Sequence, residues 1–176
     1  MRRGFSLIET LVVIGVFAVI ATVVARATTV SLLGTRKSDA SAKVRENLNL
    51  AMGVIERQLR SARAITSPPP CDGTPYNSIS YIDQYGDPSS FTCNPNPTCS
   101  SGTNTYVASG SASVRLTNPE SICITDCEFT CSPPVPPDPP NLPPTVQIVI
   151  EGTSKETSGI EDTAVRLETG VSLRAY

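Results

Sequence analysis

The chain opens with an apolar run that has the length of a membrane-spanning helix. Residues 5–25 read FSLIETLVVIGVFAVIATVVA, and Glu9 is the only charged residue among these 21. The uncharged stretch from Thr10 to Ala25 would rise about 24 Å as an α-helix, slightly less than the roughly 30 Å of a hydrocarbon core. This pattern predicts a transmembrane helix over 5–25 with a carboxylate at or just inside one membrane boundary.

Two ordinary explanations of this segment are incomplete. A secretory signal peptide shares the basic start, here Arg2 and Arg3, but should end at a small-residue cleavage site, whereas this run continues into further helix-like sequence. A plain membrane anchor accounts for the length but not for Glu9, because a carboxylate inside the bilayer costs about 2.5–3.5 kcal/mol on insertion scales. Such a cost indicates a function for Glu9.

The residues Gly4-Phe5-Ser6-Leu7-Ile8-Glu9-Thr10, which follow a short basic leader, resemble the N-terminal signature of type IV prepilins and pseudopilins. The resemblance implies that residues 1–4 are a leader peptide, that prepilin peptidase cuts between Gly4 and Phe5, and that the new amino group of Phe5 is methylated. It also implies that Glu9 pairs with the N-terminal amine of a neighbouring subunit. An ion pair would compensate much of the desolvation of a buried carboxylate.

A second helical pattern follows the apolar run. The chain has no proline before Pro68, and apolar residues recur at steps of four and three over Val44, Leu48, Met52, Ile55, Leu59 and Ala62. This spacing predicts that an amphipathic helix continues over 26–66 and ends at the Thr66-Ser67-Pro68 sequence. We expect its apolar face to pack on a sheet.

Short strand-like runs follow in residues 67–176, which we call the head. In the clearest of them Val146, Ile148 and Ile150 alternate with Gln147 and Val149, as in half-buried antiparallel strands. The predicted strands are Ser78–Ile82, Ser113–Thr117, Ile122–Thr130, Thr145–Glu151 and Ala164–Ala175. The predicted fold is therefore α+β and pilin-like, with one long N-terminal helix whose second half packs on an antiparallel sheet. The order of these strands also resembles minor pilins and pseudopilins of the J and W types.

A proline-rich segment interrupts the head at 133–144, where eight of the twelve residues are proline. Proline lacks the N–H that a sheet interior needs, so the composition predicts an extended, polyproline-like surface loop between two strands. The alternative is a docking segment for a partner with an aromatic groove.

The charge changes sign along the chain. Residues 1–64 have ten Lys/Arg and four Asp/Glu, a net charge of +6, whereas residues 65–176 have a net charge of −8. An acidic head disfavours nucleic-acid binding, which needs a basic surface. Histidine is absent, and this excludes Ser-His and Cys-His catalysis and His-ligated zinc. We therefore expect neither an enzyme nor a cofactor.

All six cysteines lie in the part that we expect to be exported, and their even number indicates structural disulfides. In a regular strand Cys123, Cys127 and Cys131 share one face about 13 Å apart, too far to bond to one another. We therefore hypothesise that these three pair mostly with the earlier cysteines, and a local Cys93–Cys99 loop is the chief rival. The six cysteines are Cys71, Cys93, Cys99, Cys123, Cys127 and Cys131.

Metal binding is the less favoured interpretation of these residues. The Cys123-x₃-Cys127-x₃-Cys131 spacing also suits a zinc or iron–sulfur site, but such sites need reduced thiols, which an exported head does not keep. Calcium at the acidic segments 83–87 or 161–162 stays open, although neither spacing matches a known calcium loop. We therefore predict no metal site.

The sequence thus predicts a minor pilin or pseudopilin, held in the cytoplasmic membrane by one span with an extracytoplasmic head and then assembled into a periplasmic or extracellular filament. In this interpretation Leu7, Ile8, Glu9 and Leu11 belong to the assembly surface. The resemblance implies as partners other pilin subunits, prepilin peptidase and an inner-membrane assembly platform, with the lipid bilayer before assembly. The alternative is a membrane-anchored surface protein whose head binds a ligand without polymerising.

Overall fold

A computed structural model describes residues 6–67, 71–99, 103–110, 114–133, 143–155 and 164–173. The chain forms two compact units, Met1–Asp39 and Ala40–Tyr176. The described part of the N-terminal unit is helical from Leu7 onward, and helix α1 has the bounds Leu7–Ser61. The layout of one long apolar N-terminal helix followed by antiparallel strands confirms the predicted α+β fold.

The C-terminal unit contains the second half of α1 and nine described strands in two antiparallel sheets. The first sheet has the strand order β1-β3-β4-β5-β6, and the second has the order β2-β7-β8-β9. The strands are β1 Ala64–Ser67, β2 Pro75–Tyr76, β3 Ser78–Ile82, β4 Pro88–Asn94, β5 Tyr106–Ser109, β6 Val114–Arg115, β7 Ile122–Ser132, β8 Thr145–Ser154 and β9 Val165–Ser172.

One hydrophobic core joins the helix to both sheets. The apolar stripe predicted from the sequence is fully buried or nearly so at all six positions, from Val44 to Ala62. It packs in the same cluster as Ile79 and Phe91 of the first sheet and Ile148 of the second. The alternating residues Val146, Ile148 and Ile150 of β8 lie on one face of the strand and all belong to this core.

The helix ends earlier than the sequence predicts. We expected helix through residue 66, but α1 ends at Ser61 and residues 64–67 form strand β1. The backbone N–H of Arg63 donates to the carbonyl of Ile82 at 2.9 Å, and Ala64 then pairs with Ile82 in the first sheet. Strand β3 thus forms hydrogen bonds with backbone groups that a further helical turn would otherwise use. The β-branched residues Ile65 and Thr66 also favour a strand.

Strand β7 contains a β-bulge that corrects the predicted placement of its cysteines. Its register against β8 shifts between Ile124 and Asp126, which leaves Thr125 as the extra residue. One extra residue reverses the alternation of faces, so Cys123 lies on the face opposite to Cys127 and Cys131. Only the latter two belong to the central hydrophobic cluster. The expectation that all three share one face was therefore wrong.

Three disulfides converge on β7. They join Cys71 to Cys131, Cys93 to Cys127 and Cys99 to Cys123. Each links a cysteine of β7 to one of the three earlier cysteines, in the arrangement that we hypothesised, and the rival Cys93–Cys99 loop does not form. Because Cys93 lies in β4, the second bond ties the two sheets together.

The Pro-rich segment connects β7 to β8, which pair directly as Ser132 with Thr145. Residues 134–142 lie outside the described part of the chain, so the predicted polyproline-like conformation stays a prediction. At its end, the carbonyl of Pro144 accepts a hydrogen bond from the N–H of Leu173 at 3.4 Å.

Two glycines of the second sheet provide a matched test of the packing around the bulge. A Cβ on Gly152 would lie 2.9 Å from the carbonyl oxygen of Cys123, whereas a Cβ on Gly170 would meet no atom within 4 Å. We expect Gly152→Ala to lower the free energy of unfolding by about 1–3 kcal/mol, because the clash is with backbone that cannot rotate away.

The control variant Gly170→Ala should change the free energy of unfolding by less than about 0.5 kcal/mol. Urea denaturation of each full-length variant in phospholipid nanodiscs, followed by tyrosine fluorescence, measures both effects. Equal stabilities of the two variants would show that the close approach of β8 to the β7 bulge is wrong.

Candidate functional site

The first two turns of α1 contain the sequence-predicted assembly residues Leu7, Ile8, Glu9 and Leu11. Ser6 precedes the helix, and its carbonyl accepts hydrogen bonds from the backbone N–H groups of Glu9 at 3.0 Å and Thr10 at 3.3 Å. Ser6 therefore occupies the N-cap position and Glu9 the third helical position. An acidic residue is favourable there because the unpaired N–H groups give the helix N-terminus a partial positive charge.

Glu9 lies on a different side of the helix from Leu7 and Leu11. At 100° per residue, Leu7 and Leu11 share one face, whereas Glu9 is turned about 200° away from Leu7. The side chains of Val12, Val13 and other β-branched residues continue the face of Glu9 along the helix, and Ile8 lies between the two faces. A partner that reaches Glu9 therefore also meets a stripe of apolar side chains.

The whole apolar segment is exposed. Leu7 is 80% exposed, and the large apolar residues through Leu33 are likewise exposed. Helix α1 is, within the described part of the chain, long and apolar enough to cross a membrane, and none of its most apolar window is buried. Such a surface is stable only in a bilayer or against other apolar surfaces.

The threonines in this helix are a feature that the sequence reasoning missed. The hydroxyl of Thr10 donates to the carbonyl of Leu7 at 2.9 Å, and Thr22 and Thr28 bond in the same way to carbonyls three or four residues earlier. Thr29 and Thr35 follow the same pattern. Because these hydroxyls are satisfied within the helix, they add little cost to its burial in lipid or protein. The presence of threonine inside an apolar helical segment is the sequence signal from which these hydrogen bonds could have been predicted.

The processing residues predicted from the sequence, Gly4 and Phe5, lie outside the described part of the chain. Their sequence context decides the family. The model of the prokaryotic N-terminal methylation motif matches residues 1–25. Residues 1–25 thus carry the N-terminal motif of type IV prepilins and pseudopilins. The motif indicates a pilin-like substrate of prepilin peptidase, and the pilin family is structural rather than enzymatic. Proteins with this motif typically associate with other pilins and with the peptidase.

The apolar helix together with the motif indicates a membrane-anchored prepilin. The match ends at residue 25, so it does not extend into the disulfide-bonded head. No curated protein matches the chain, and no solved structure matches it.

The six cysteines and Asp83 have structural partners. All six cysteines are in disulfides, so none provides the thiolate that the 123/127/131 spacing would need for a metal. Asp83 Oδ1 accepts backbone hydrogen bonds from Tyr85 and Asp87. Among the described residues, no group of three His, Cys, Asp or Glu side chains is placed to hold a metal ion. The acidic segment at 161–162 lies outside them.

Proposed function

We propose that this prepilin is a minor pilin or pseudopilin of the J/W-like type, cut between Gly4 and Phe5 and assembled into a type IV pilus or a type II secretion-like filament. Assembly uses the apolar surface at the start of α1, including Leu7, Ile8 and Leu11, together with Glu9. Before assembly the subunit is inserted in the cytoplasmic membrane with its head on the extracytoplasmic side. An inner-membrane assembly platform then incorporates it into the filament.

The observation that carries this proposal is the exposure of the apolar helix that directly follows the cleavage motif. In the C-terminal unit, the apolar stripe of α1 is covered by the two sheets. In the N-terminal unit, the apolar residues are exposed all around the helix. A helix that is apolar on every side needs apolar surroundings on every side. Lipid supplies them before assembly, and the helices of neighbouring subunits supply them afterwards.

Glu9 gives this apolar contact a defined position along the helix. An unpaired carboxylate in such surroundings is costly, so the most favourable arrangement brings a positive group to it. The N-terminal amine created by cleavage at Phe5 of a neighbouring subunit is such a group. Pairing therefore selects one axial offset between adjacent helices. Contact between apolar surfaces alone would select no offset, because such surfaces can slide along one another.

The charges of the head agree with export and with a structural role. Its −8 net charge favours solubility, and the basic first part of the chain suits contacts with acidic surfaces of neighbouring subunits. The proposal excludes direct nucleic-acid binding by the head.

Fractionation of the native host tests the proposal against a non-polymerising membrane anchor. Filaments sheared from cells and collected by ultracentrifugation should contain the processed chain together with other pilins, as measured by peptide mass spectrometry. If the processed chain occurs in membranes but never in the filament fraction, assembly is wrong and the anchored binding protein is the correct alternative.

A further inference from the structure

An open cleft of about 290 Å³ lies at the C-terminal end of α1. Gln58 and Ser61 of the helix form one wall, and Tyr81 of β3 forms the floor. The β3–β4 hairpin contributes Asp83, Gln84 and Tyr85, and one serine from each of β4 and β5 completes the opposite side. Three segments distant in sequence, the end of α1, the β3–β4 hairpin with its flanking strands, and the end of β5, thus converge on one concave surface.

The chemistry of this cleft is polar and nearly neutral. Every described side chain that lines it has a hydroxyl, amide or carboxylate group, and Asp83 is the one that carries a charge. The positive charge of Arg63 acts on Asp83 from beside the hairpin and offsets its charge, so neither a cation nor an anion is strongly favoured. An apolar ligand would leave these polar groups without hydrogen-bond partners. Hydroxyl and amide groups both donate and accept. The lining therefore suits a neutral ligand that is rich in hydroxyl groups.

The floor of the cleft is held in place before any ligand binds. Tyr81 is only 2% exposed, and its hydroxyl donates to Gln58 Oε1 at 2.7 Å. Its ring stacks on Phe91 with the ring centroids 5.4 Å apart. Because the bond to Tyr81 uses the amide oxygen of Gln58, the amide nitrogen of Gln58 is oriented as a donor. A pre-organised floor reduces the entropy lost on binding.

The hairpin at the rim is also ordered. Asp83 Oδ1 accepts hydrogen bonds from the backbone N–H groups of Tyr85 at 2.8 Å and Asp87 at 2.9 Å. The hydrogen bond from Asp87 is the largest cause that holds the pKa of Asp83 below its usual range, so this carboxylate is ionised at neutral pH. Gly86 permits the turn with a φ of +98°.

Tyr85 lies at the tip of this hairpin, and its residue exposure is 78%. A single exposed aromatic ring is common on protein surfaces, but this one borders a cleft lined by polar groups. The negative face of an aromatic ring attracts the partially positive C–H groups on the apolar face of a sugar ring. The adjacent amides and carboxylate can then bond the hydroxyls around its edge.

We propose that this cleft binds a neutral sugar residue of a glycan, with Tyr85 stacked on the sugar ring and Gln58, Asp83 and Gln84 hydrogen-bonded to its hydroxyls. Gln58 is 18 residues along α1 from Ala40, where the C-terminal unit begins, which corresponds to about 27 Å. The cleft lies entirely within that unit, so sugar binding does not depend on cleavage or polymerisation.

Saturation-transfer NMR on the full-length chain in phospholipid nanodiscs tests this site. Nanodiscs are needed because detergents with sugar headgroups would compete for the cleft. The probes are methyl α-D-glucoside, methyl β-D-galactoside, methyl α-D-mannoside and N-acetylglucosamine, each titrated alone. At least one should bind saturably with a Kd on the order of 1 mM, and excess inorganic phosphate should not displace it.

Variants then locate the binding. Tyr85→Ala should weaken the Kd at least tenfold, whereas Tyr85→Phe keeps the ring and should bind as the wild type does. Tyr76→Ala removes another exposed tyrosine, 40% exposed in β2, and should have no effect. Circular dichroism confirms that each variant is folded.

Absence of binding by all four sugars, or a Kd unchanged by Tyr85→Ala, overturns the proposal. Binding of oligolysine that Asp83→Asn abolishes, with no sugar bound, would assign the cleft to a basic protein partner instead.

Discussion

Gly4→Ala is expected to abolish maturation of this prepilin, with unprocessed chain accumulating in the membrane. The cleavage signature places a glycine directly before the bond to Phe5, and a methyl group on its Cα would occupy space that a peptidase adapted to glycine does not provide. The chain should still insert, because the apolar run of residues 10–25 is unchanged. Immunoblots of membranes from the native host would separate precursor from mature chain by size.

Gly15→Ala is the matched control for this substitution. Gly15 lies inside the same apolar segment, and a Cβ on it would meet no atom within 4 Å. Alanine also favours helix over glycine by about 1 kcal/mol. This variant should therefore be inserted and processed as the wild type is. Normal processing of Gly4→Ala would contradict the assignment of the cleavage site.

Glu9→Ala should leave the amount of processed chain in the membrane unchanged or higher but lower its amount in filaments at least tenfold. Removing the carboxylate eases insertion, because its cost of about 2.5–3.5 kcal/mol in the bilayer disappears. The same change removes the partner of the neighbouring amine, so the offset between adjacent helices is no longer selected. The measurement is the ratio of the chain in sheared filaments to the chain in membranes.

Two further variants make the Glu9 result specific. Glu9→Gln keeps the size and polarity of the side chain but not its charge, and it should assemble as poorly as Glu9→Ala. Glu46→Ala removes an exposed acidic residue from the C-terminal part of α1 and should assemble normally. Normal incorporation of either Glu9 variant would contradict the pairing role.

The sequence predicted those parts of the fold in which side-chain periodicity alone determines the structure. The stripe from Val44 to Ala62 has the period of a helix, and it is buried as expected. The alternation around Ile148 has the period of a strand, and β8 forms there. In both cases burial of one face is encoded locally, so no knowledge of the partner surface was needed.

The elements that the sequence did not reveal depend on distant partners. Strand β4 begins with a proline and is mostly polar, with Phe91 as its fully buried residue. It forms because β3 and β5 pair with its two edges. Strand β1 looked like the end of the helix because Ala64 and Ile65 continue its apolar character, yet pairing with β3 decides its conformation. Tertiary pairing thus overrides local preference in these short segments.

The same distinction applies to the candidate sites. The cleavage motif and Glu9 are contiguous in sequence, so they could be found without a structure. Distance along a strand correctly limited which cysteines could pair. The bulge at Thr125 was not foreseen, because β7 itself contains no glycine or proline that would indicate one. The cleft beside Tyr85 was not predictable at all, since its walls come from segments that only the fold brings together.

Mass spectrometry of the mature N-terminal peptide, from protein purified out of the native host, tests the central claim most directly. Processing as a prepilin predicts a chain that begins at Phe5 with a methyl group on its amino nitrogen and lacks residues 1–4. A mature chain that still begins at Met1 would contradict it, because no free amine would then stand at Phe5 to pair with Glu9 of a neighbouring subunit.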